Sequence, residues 1–169
     1  MSTAISELKS GEWFFVLRRY LLFVACANLT WEILHLPLYT IWSEGSLSEL
    51  AFAVVHCTGG DVMIAVSTLL LALLIFGNGA WPYVNFTRVV SATIVLGLLY
   101  TMFSEWLNIV VRKSWAYSDL MPVLPITGTG LSPLAQWFVI PLVAFLWANR
   151  SVKLSDQQTQ SIPLKLLRE

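Results

Sequence analysis

Five ionisable side chains interrupt the apolar stretches of this sequence and are the first candidates for chemistry. They are Glu32, His35, His56, Asp61 and Glu105. A charged group near the middle of a membrane span costs about 2.5–3.5 kcal/mol or more, unless it faces the protein interior and finds a partner there. Neutral side chains can join helices at a lower cost, so these five are interpreted as functional rather than structural.

The spacing of two of them is typical of metal ligands. Glu32 and His35 form an E-x-x-H pair, which sends a carboxylate and an imidazole from adjacent helical turns to a common metal in carboxylate-bridged bundles. With the other three residues, the set offers imidazole and carboxylate ligands that suit zinc, iron or manganese better than copper(I). We therefore predict a divalent transition metal bound by Glu32, His35, His56, Asp61 and Glu105. Asp61 and Glu105 are also the predicted catalytic residues.

Two other interpretations of these residues remain open. His35 and His56 could bind a haem iron from both sides, as in membrane b-type cytochromes, with Gly59 and Gly60 leaving room for the macrocycle. Three carboxylates are unexpected in a haem pocket, so haem b ranks below a simple metal site. In a metal-free version, the acids share protons with the histidines in a relay or binding site. Cys57 is interpreted as a buried residue, because helical neighbours such as His56 point about 100° away.

A second, neutral set of polar residues shares the helical spacing of the first. It comprises Asn28, Thr101, Asn108, Ser132 and Gln136. Hydrogen bonds between membrane helices average about 0.6 kcal/mol and hold bundles together. This set is therefore interpreted as a structural network.

The elements that must position these residues are four apolar segments, at 20–42, 46–76, 89–111 and 131–149. At about 1.5 Å per residue, each is long enough to cross a bilayer core of about 30 Å. Hydrophobic residues make up 57% of the chain and charged residues 12%, which leaves little to cover a water-facing surface. The predicted fold is an all-α integral membrane four-helix bundle. Residues 1–149 form its single transmembrane domain, and 150–169 form a polar cytoplasmic tail.

Short sequence patterns add detail to the predicted bundle. A capping-box pattern starts the second helix at Ser46, and the glycines at Gly59 and Gly60 favour a kink within it. The segment 5–16 is predicted to be a short interfacial helix. The segment 114–130 carries two prolines and two glycines and is interpreted as a lid over the helix ends.

The basic residues predict the orientation of the bundle. Four spans place both termini on one side of the membrane. Eight of the ten Lys and Arg residues fall on that side, and only Arg112 and Lys113 fall on the other. The positive-inside rule then makes both termini cytoplasmic. In that orientation the polar residues of all four helices lie toward the periplasmic end, because the outgoing helices carry them late and the returning helices carry them early.

The predicted function follows from this buried, metal-capable site. The leading hypothesis is a metal-dependent membrane enzyme that acts on a lipid or another apolar molecule entering from the outer leaflet. The alternative is a non-enzymatic membrane subunit, a haem or ion carrier, or an assembly factor of a larger complex. Because the net charge is zero and no basic patch is visible, nucleic acid is not an expected partner.

Four strings of the sequence resemble those of uncharacterised small multi-pass bacterial inner-membrane proteins. They are Trp31-Glu-Ile-Leu-His-Leu-Pro-Leu-Tyr39, His56-Cys-Thr-Gly-Gly-Asp-Val62, Ser104-Glu-Trp-Leu-Asn108 and Gly128-Thr-Gly-Leu-Ser-Pro-Leu-Ala-Gln-Trp137. The resemblance spans most of the chain, from the first helix to the fourth. It implies a location in the bacterial inner membrane and attaches no activity, cofactor or partner.

The distribution of basic residues generates a topology prediction. Alkaline phosphatase fused after Glu169 should be inactive, because its disulfides form only in an oxidising compartment such as the periplasm. The same reporter inserted within 114–130 should be active. A reporter that works only in the cytoplasm should give the opposite pattern at both positions. Phosphatase activity at Glu169 would reverse the predicted orientation.

Overall fold

The protein is an all-α, multi-pass membrane bundle. A computed structural model describes the backbone of residues 2–160 and the side chains of residues 13–150. Its elements are α1 (Ser2–His35), a 3-10 turn (Leu36–Leu38), α2 (Ile41–Glu44), α3 (Leu47–Phe76), α4 (Phe86–Glu105), a π-helical turn (Trp106–Val111) and α5 (Leu131–Gln160). Within the described residues, four segments are long and apolar enough to cross a membrane: Trp13–Leu38, Leu47–Phe76, Phe86–Val111 and Leu131–Arg150. The predicted four-helix membrane fold is confirmed.

The four long helices pack as a closed ring. Helix α1 lies against α3 and α5, and α4 lies against the same two helices. Each helix therefore has one face directed toward the other three, and polar residues on those faces can meet. The remaining faces carry exposed large apolar side chains, among them Leu34, Leu74 and Leu99, as expected for a surface in contact with lipid.

The first helix differs from the prediction at both ends. Helix α1 runs without a break from Ser2, so the segment 5–16 forms its first turns and is not a separate interfacial helix. The α-helix ends at His35 rather than near Trp42, because Pro37 has no backbone N–H to donate and disfavours a helical conformation in the residue before it. The chain then turns across the end of the bundle.

Two other boundaries bear on the predictions. The capping box at Ser46 is present, with Glu49 bonding back to the Ser46 backbone, and α3 continues through Gly59 and Gly60 as one helix. Helix α5 continues to Gln160, so the predicted tail begins as helix rather than as an irregular segment. The rest of that tail, residues 161–169, lies outside the described residues.

One half of the bundle is solidly packed. Tyr20 stacks on Phe145 with ring centroids 4.2 Å apart, and Trp81 in the α3–α4 turn packs edge-on against Trp13 at 5.1 Å. Small residues let the helices approach in this half; they include Ala65, Ala72, Ala144 and Ala148. The polar residues singled out in the sequence lie in the other half, where the helices enclose a cavity.

The close approach of α4 and α5 depends on Gly97. The indole ring of Trp137 lies directly over this glycine, so a Cβ atom at position 97 would overlap it. Trp137 is buried, and its Nε1–H donates a hydrogen bond to Asp61 Oδ1 at 3.2 Å. The same ring therefore joins helix packing to the polar residues of the cavity.

A Gly97→Ala substitution should destabilise the bundle by about 1–3 kcal/mol, the usual cost of overpacking a close contact. The matched control is Gly59→Ala, also in a membrane helix, where no atom lies within 4 Å of the added Cβ. Alanine at position 59 should leave stability unchanged or raise it by up to about 1 kcal/mol, because alanine is the better helix former. Unfolding of the purified proteins in mixed micelles measures both. Equal stability of Gly97→Ala and wild type would contradict the close packing of α4 on α5.

Candidate functional site

A cavity of about 890 Å³ occupies the half of the bundle next to the α1–α2 and α4–α5 connections. All five predicted site residues contribute to its lining, namely Glu32, His35, His56, Asp61 and Glu105. The expectation that the polar residues gather at one end of the bundle is therefore confirmed. Glu32, His35 and Glu105 are buried, Asp61 is half-buried and His56 is exposed.

The amide of Gln136 is the centre of the first polar cluster. Its Nε2 lies 2.8 Å from Asn28 Oδ1, 2.9 Å from Glu32 Oε1 and 2.9 Å from Asp61 Oδ2. These contacts join α5 to α1 and α3 through one nitrogen atom. The interpretation of Gln136 and Asn28 as parts of a structural network is confirmed, although the same network also holds two of the ionisable residues.

His35 links Glu32 to the start of α5. Its Nε2 lies 3.0 Å from Glu32 Oε2, and its Nδ1 lies 3.1 Å from Ser132 Oγ. Trp31 Nε1–H donates to the same Ser132 oxygen at 3.2 Å. Both ring nitrogens of His35 therefore have partners within the protein.

Glu105 forms the second polar cluster with two tyrosines from outside the long helices. Tyr39 donates to Glu105 Oε2 at 3.4 Å, and Tyr117 donates a short hydrogen bond to the same oxygen. Burial and then the hydrogen bond to Glu105 raise the pKa of Tyr117, and burial followed by the charge of Glu105 raises the pKa of Tyr39 well above its usual value. Both hydroxyls therefore remain protonated near neutral pH and remain donors.

The connection between α4 and α5 closes this end of the bundle. Ser118 Oγ donates to Pro37 O at 3.0 Å, and the Thr40 backbone N–H donates to Ala116 O at 3.0 Å. The oxygen of Tyr117 also accepts from the Gly130 backbone N–H at 2.8 Å. The segment interpreted as a lid is thus fixed to the end of α1 and reaches Glu105, and Trp115 contributes to the lining of the cavity.

The predicted metal site is not supported. Among the described residues, no group of three or more His, Cys, Asp or Glu side chains is placed to hold a metal ion. The physical reason is that the five candidates Glu32, His35, His56, Asp61 and Glu105 are already divided among other partners. Gln136 Nε2 bonds to both Glu32 and Asp61, and tyrosine hydroxyls donate to Glu105.

Among the five candidates, His56 differs most from its expected role as a metal or haem ligand. Its ring stacks on Phe52 of the same helix, with centroids 5.3 Å apart and planes 15° apart. Within the part of the chain whose side chains are described, no hydrogen bond or ring contact joins it to His35. The geometry offers no support for a haem iron between the two histidines, since both ring nitrogens of His35 have protein partners.

Three side chains that contact the acids of the cavity were absent from the sequence prediction. Tyr39 and Tyr117 bind Glu105, and Trp137 binds Asp61. Tyr39 lies four residues after His35, and this spacing was a usable signal. Tyr117 and Trp137 gave none, because aromatic residues are frequent throughout the chain and both contacts arise from tertiary packing.

The chain matches no known protein-family model, no curated protein and no solved structure. The resemblance to small inner-membrane proteins therefore stays a prediction. The functional interpretation depends on the geometry of the cavity.

Replacing Gln136 with leucine should destabilise the protein by about 2 kcal/mol or more, since three contacts averaging about 0.6 kcal/mol each are lost inside the membrane. The control is Thr93→Val. Thr93 is equally buried, but its hydroxyl bonds only to Val89 O of its own helix, at 2.8 Å. Unfolding in mixed micelles compares the two variants. Similar small losses in both would show that the Gln136 contacts do not hold the helices together.

Proposed function

We propose that this membrane protein binds an apolar or amphipathic small molecule in the cavity and holds the polar end of that molecule against the acidic side chains. The observation that carries the proposal is one cavity of about 890 Å³ whose lining combines apolar side chains with Glu32, Asp61 and Glu105. Binding sites for small molecules in proteins are typically about 300–1,000 Å³, largely apolar, with a few convergent polar groups.

The apolar part of the lining suits a hydrocarbon body. Phe52, Met63 and Ile64 of α3 contribute to it, and so does Tyr100 of α4. Phe52 is 69% exposed and Met63 is 71% exposed. Because such large exposed fractions do not fit a sealed space, the cavity opens to the surroundings along α3. A molecule dissolved in the membrane can enter by this route without crossing water.

The proposed location is the bacterial inner membrane, with the cavity in the periplasmic half. The positive-inside argument supports this orientation, and the resemblance described above supports the membrane. A ligand would then enter from the outer leaflet. A role as the ligand-binding subunit of a larger membrane complex is compatible with the same site.

A second candidate is acid–base catalysis on the bound molecule. Asp61 and Glu105, the predicted catalytic residues, lie on α3 and α4 and contribute to one cavity. Two carboxyl groups with different partners are suited to act as a proton donor and a proton acceptor. This role requires no metal ion, in agreement with the partners that the acids have.

Filling the cavity tests the binding proposal. Gly60 lies in the cavity lining, and no atom lies within 4 Å of a Cβ added there. Gly60→Phe should therefore fold and should retain at least about tenfold less apolar ligand, a difference of about 1.4 kcal/mol. Mass spectrometry of organic extracts from the purified protein measures the retained molecules per chain.

The matched control is Gly59→Phe. Gly59 is the preceding residue, has equal space for a Cβ and is not among the residues that line the cavity. This variant should retain the same molecules as wild type. Equal retention in all three proteins, or no retained molecule in wild type, would contradict the proposal. A retained molecule that is absent from cells lacking the protein would favour the enzymatic candidate.

A further inference from the structure

We propose that the polar end of the ligand is a cation, an organic ammonium group carried on an apolar chain. This inference deepens the proposed function and depends on it. It names the class of molecule that the cavity selects among the many apolar molecules of a membrane.

The charges around the cavity are the first argument. Its lining contains four carboxyl groups, of Glu32, Glu49, Asp61 and Glu105, one guanidinium group, of Arg112, and the imidazole rings of His35 and His56. Glu49 is occupied by the capping box at the start of α3, which leaves three acids deep in the cavity. Arg112 is exposed, and no Lys or Arg of the described residues forms an ion pair with these acids. His35 Nε2 lies 3.0 Å from Glu32 Oε2, so among the described residues Asp61 and Glu105 are the two deep acids without a basic partner. Carboxylates so placed in a low dielectric require a compensating cation or must bind protons.

An unpaired hydroxyl is the second, independent argument. Thr101 lines the cavity one helical turn before Glu105, is only 5% exposed, and its Oγ1 has no hydrogen-bond partner among the described residues. A buried polar atom without a partner costs about 1–3 kcal/mol. The oxygen itself is covered, but Thr101 contributes to the cavity lining, so a rotation of its side chain about χ1 would direct the hydroxyl to a bound molecule.

The numbers of hydrogen-bond donors and acceptors around Gln136 also favour an ammonium group. The Gln136 amide has two hydrogens for three acceptor oxygens, on Asn28, Glu32 and Asp61. The acceptor oxygens around this amide therefore outnumber its donor hydrogens. An ammonium group has three donors and no acceptor, so it supplies what the site lacks.

The size and lining of the cavity favour an organic cation over a metal ion. No described group of side chains is arranged as a metal site, and about 890 Å³ is far more space than one ion occupies. Tyr100, Trp115 and Trp137 contribute aromatic rings to the lining. Aromatic faces attract ammonium groups as well as hydrocarbon chains. A carboxylate or phosphate head would instead meet three acidic side chains.

Three probes with the same chain length and different heads test the proposal: dodecylamine, dodecanol and dodecanoate. Dodecylamine is protonated at pH 7, since the pKa of an alkyl ammonium is about 10. Each is titrated into the full-length protein in a neutral detergent, and affinity is derived from the rise of Tm. Dodecylamine should bind at least about tenfold more tightly than dodecanol, a difference of about 1.4 kcal/mol. Dodecanoate should bind more weakly than the alcohol.

Two variants separate the charge from the fold. Asp61→Asn and Glu105→Gln should each reduce the preference for amine over alcohol while still binding dodecanol. Glu105→Gln keeps an acceptor for both tyrosine hydroxyls, so it remains informative if Asp61→Asn does not fold. Gly60→Phe in the same micelles should respond to none of the probes, and Gly59→Phe should behave as wild type. These two variants correct for effects of the amine on the micelle.

Each outcome decides the question. Equal binding of amine and alcohol in wild type would overturn the cationic head and leave the proposed function intact. A response to none of the three probes would overturn both. A rise of Tm with zinc chloride alone, lost in Asp61→Asn, would overturn the organic cation in favour of a metal ion. A preference for the amine that survives both acid substitutions would also contradict the inference.

Discussion

The hydrogen bonds of Gln136 are the constraint on which the rest of the cavity depends. Inside a bilayer no water is available to satisfy polar atoms, so each must find a partner within the protein. One amide nitrogen contacts acceptor oxygens of Asn28, Glu32 and Asp61 together. These residues come from α1 and α3, so the amide fixes the relative rotation of three helices. It also determines which carboxylate oxygens remain accessible to a ligand.

One half of the bundle is packed with side chains, and the other half contains the cavity. Around Tyr20, Trp81 and Phe145 the helices are filled with side chains, and this half supplies the packing that holds four helices together. In the other half the helices leave a space of about 890 Å³. Trp137 lies where the two halves meet, because its ring covers Gly97 while its N–H binds Asp61. Packing in one half thereby positions an acid in the other.

The short segments at the cavity end of the bundle hold Glu105. This acid would be costly to bury alone, and two phenolic donors reduce that cost. Tyr39 follows the helix end set by Pro37, and Tyr117 belongs to the connection between α4 and α5. The residues that close this end of the cavity therefore also reduce the cost of burying Glu105. A ligand that binds Glu105 would meet donors already directed at the carboxylate.

The sequence by itself determined the membrane fold and the gathering of polar residues at one end. Both follow from local quantities, the length of the apolar runs and the direction of each helix, which tertiary contacts do not alter. Only the tertiary structure decided the hydrogen-bond and stacking partners of the polar side chains. His56 and Asp61 lie about 140° apart at roughly 100° per residue, so the two side chains reach different neighbours although both line the cavity. Asp61 binds Gln136 and Trp137, while His56 stacks on Phe52. The spacing of two residues in the sequence gives the angle between them around the helix axis. The rotation of α3, which decides what each of them meets, is set by the helices against which it packs.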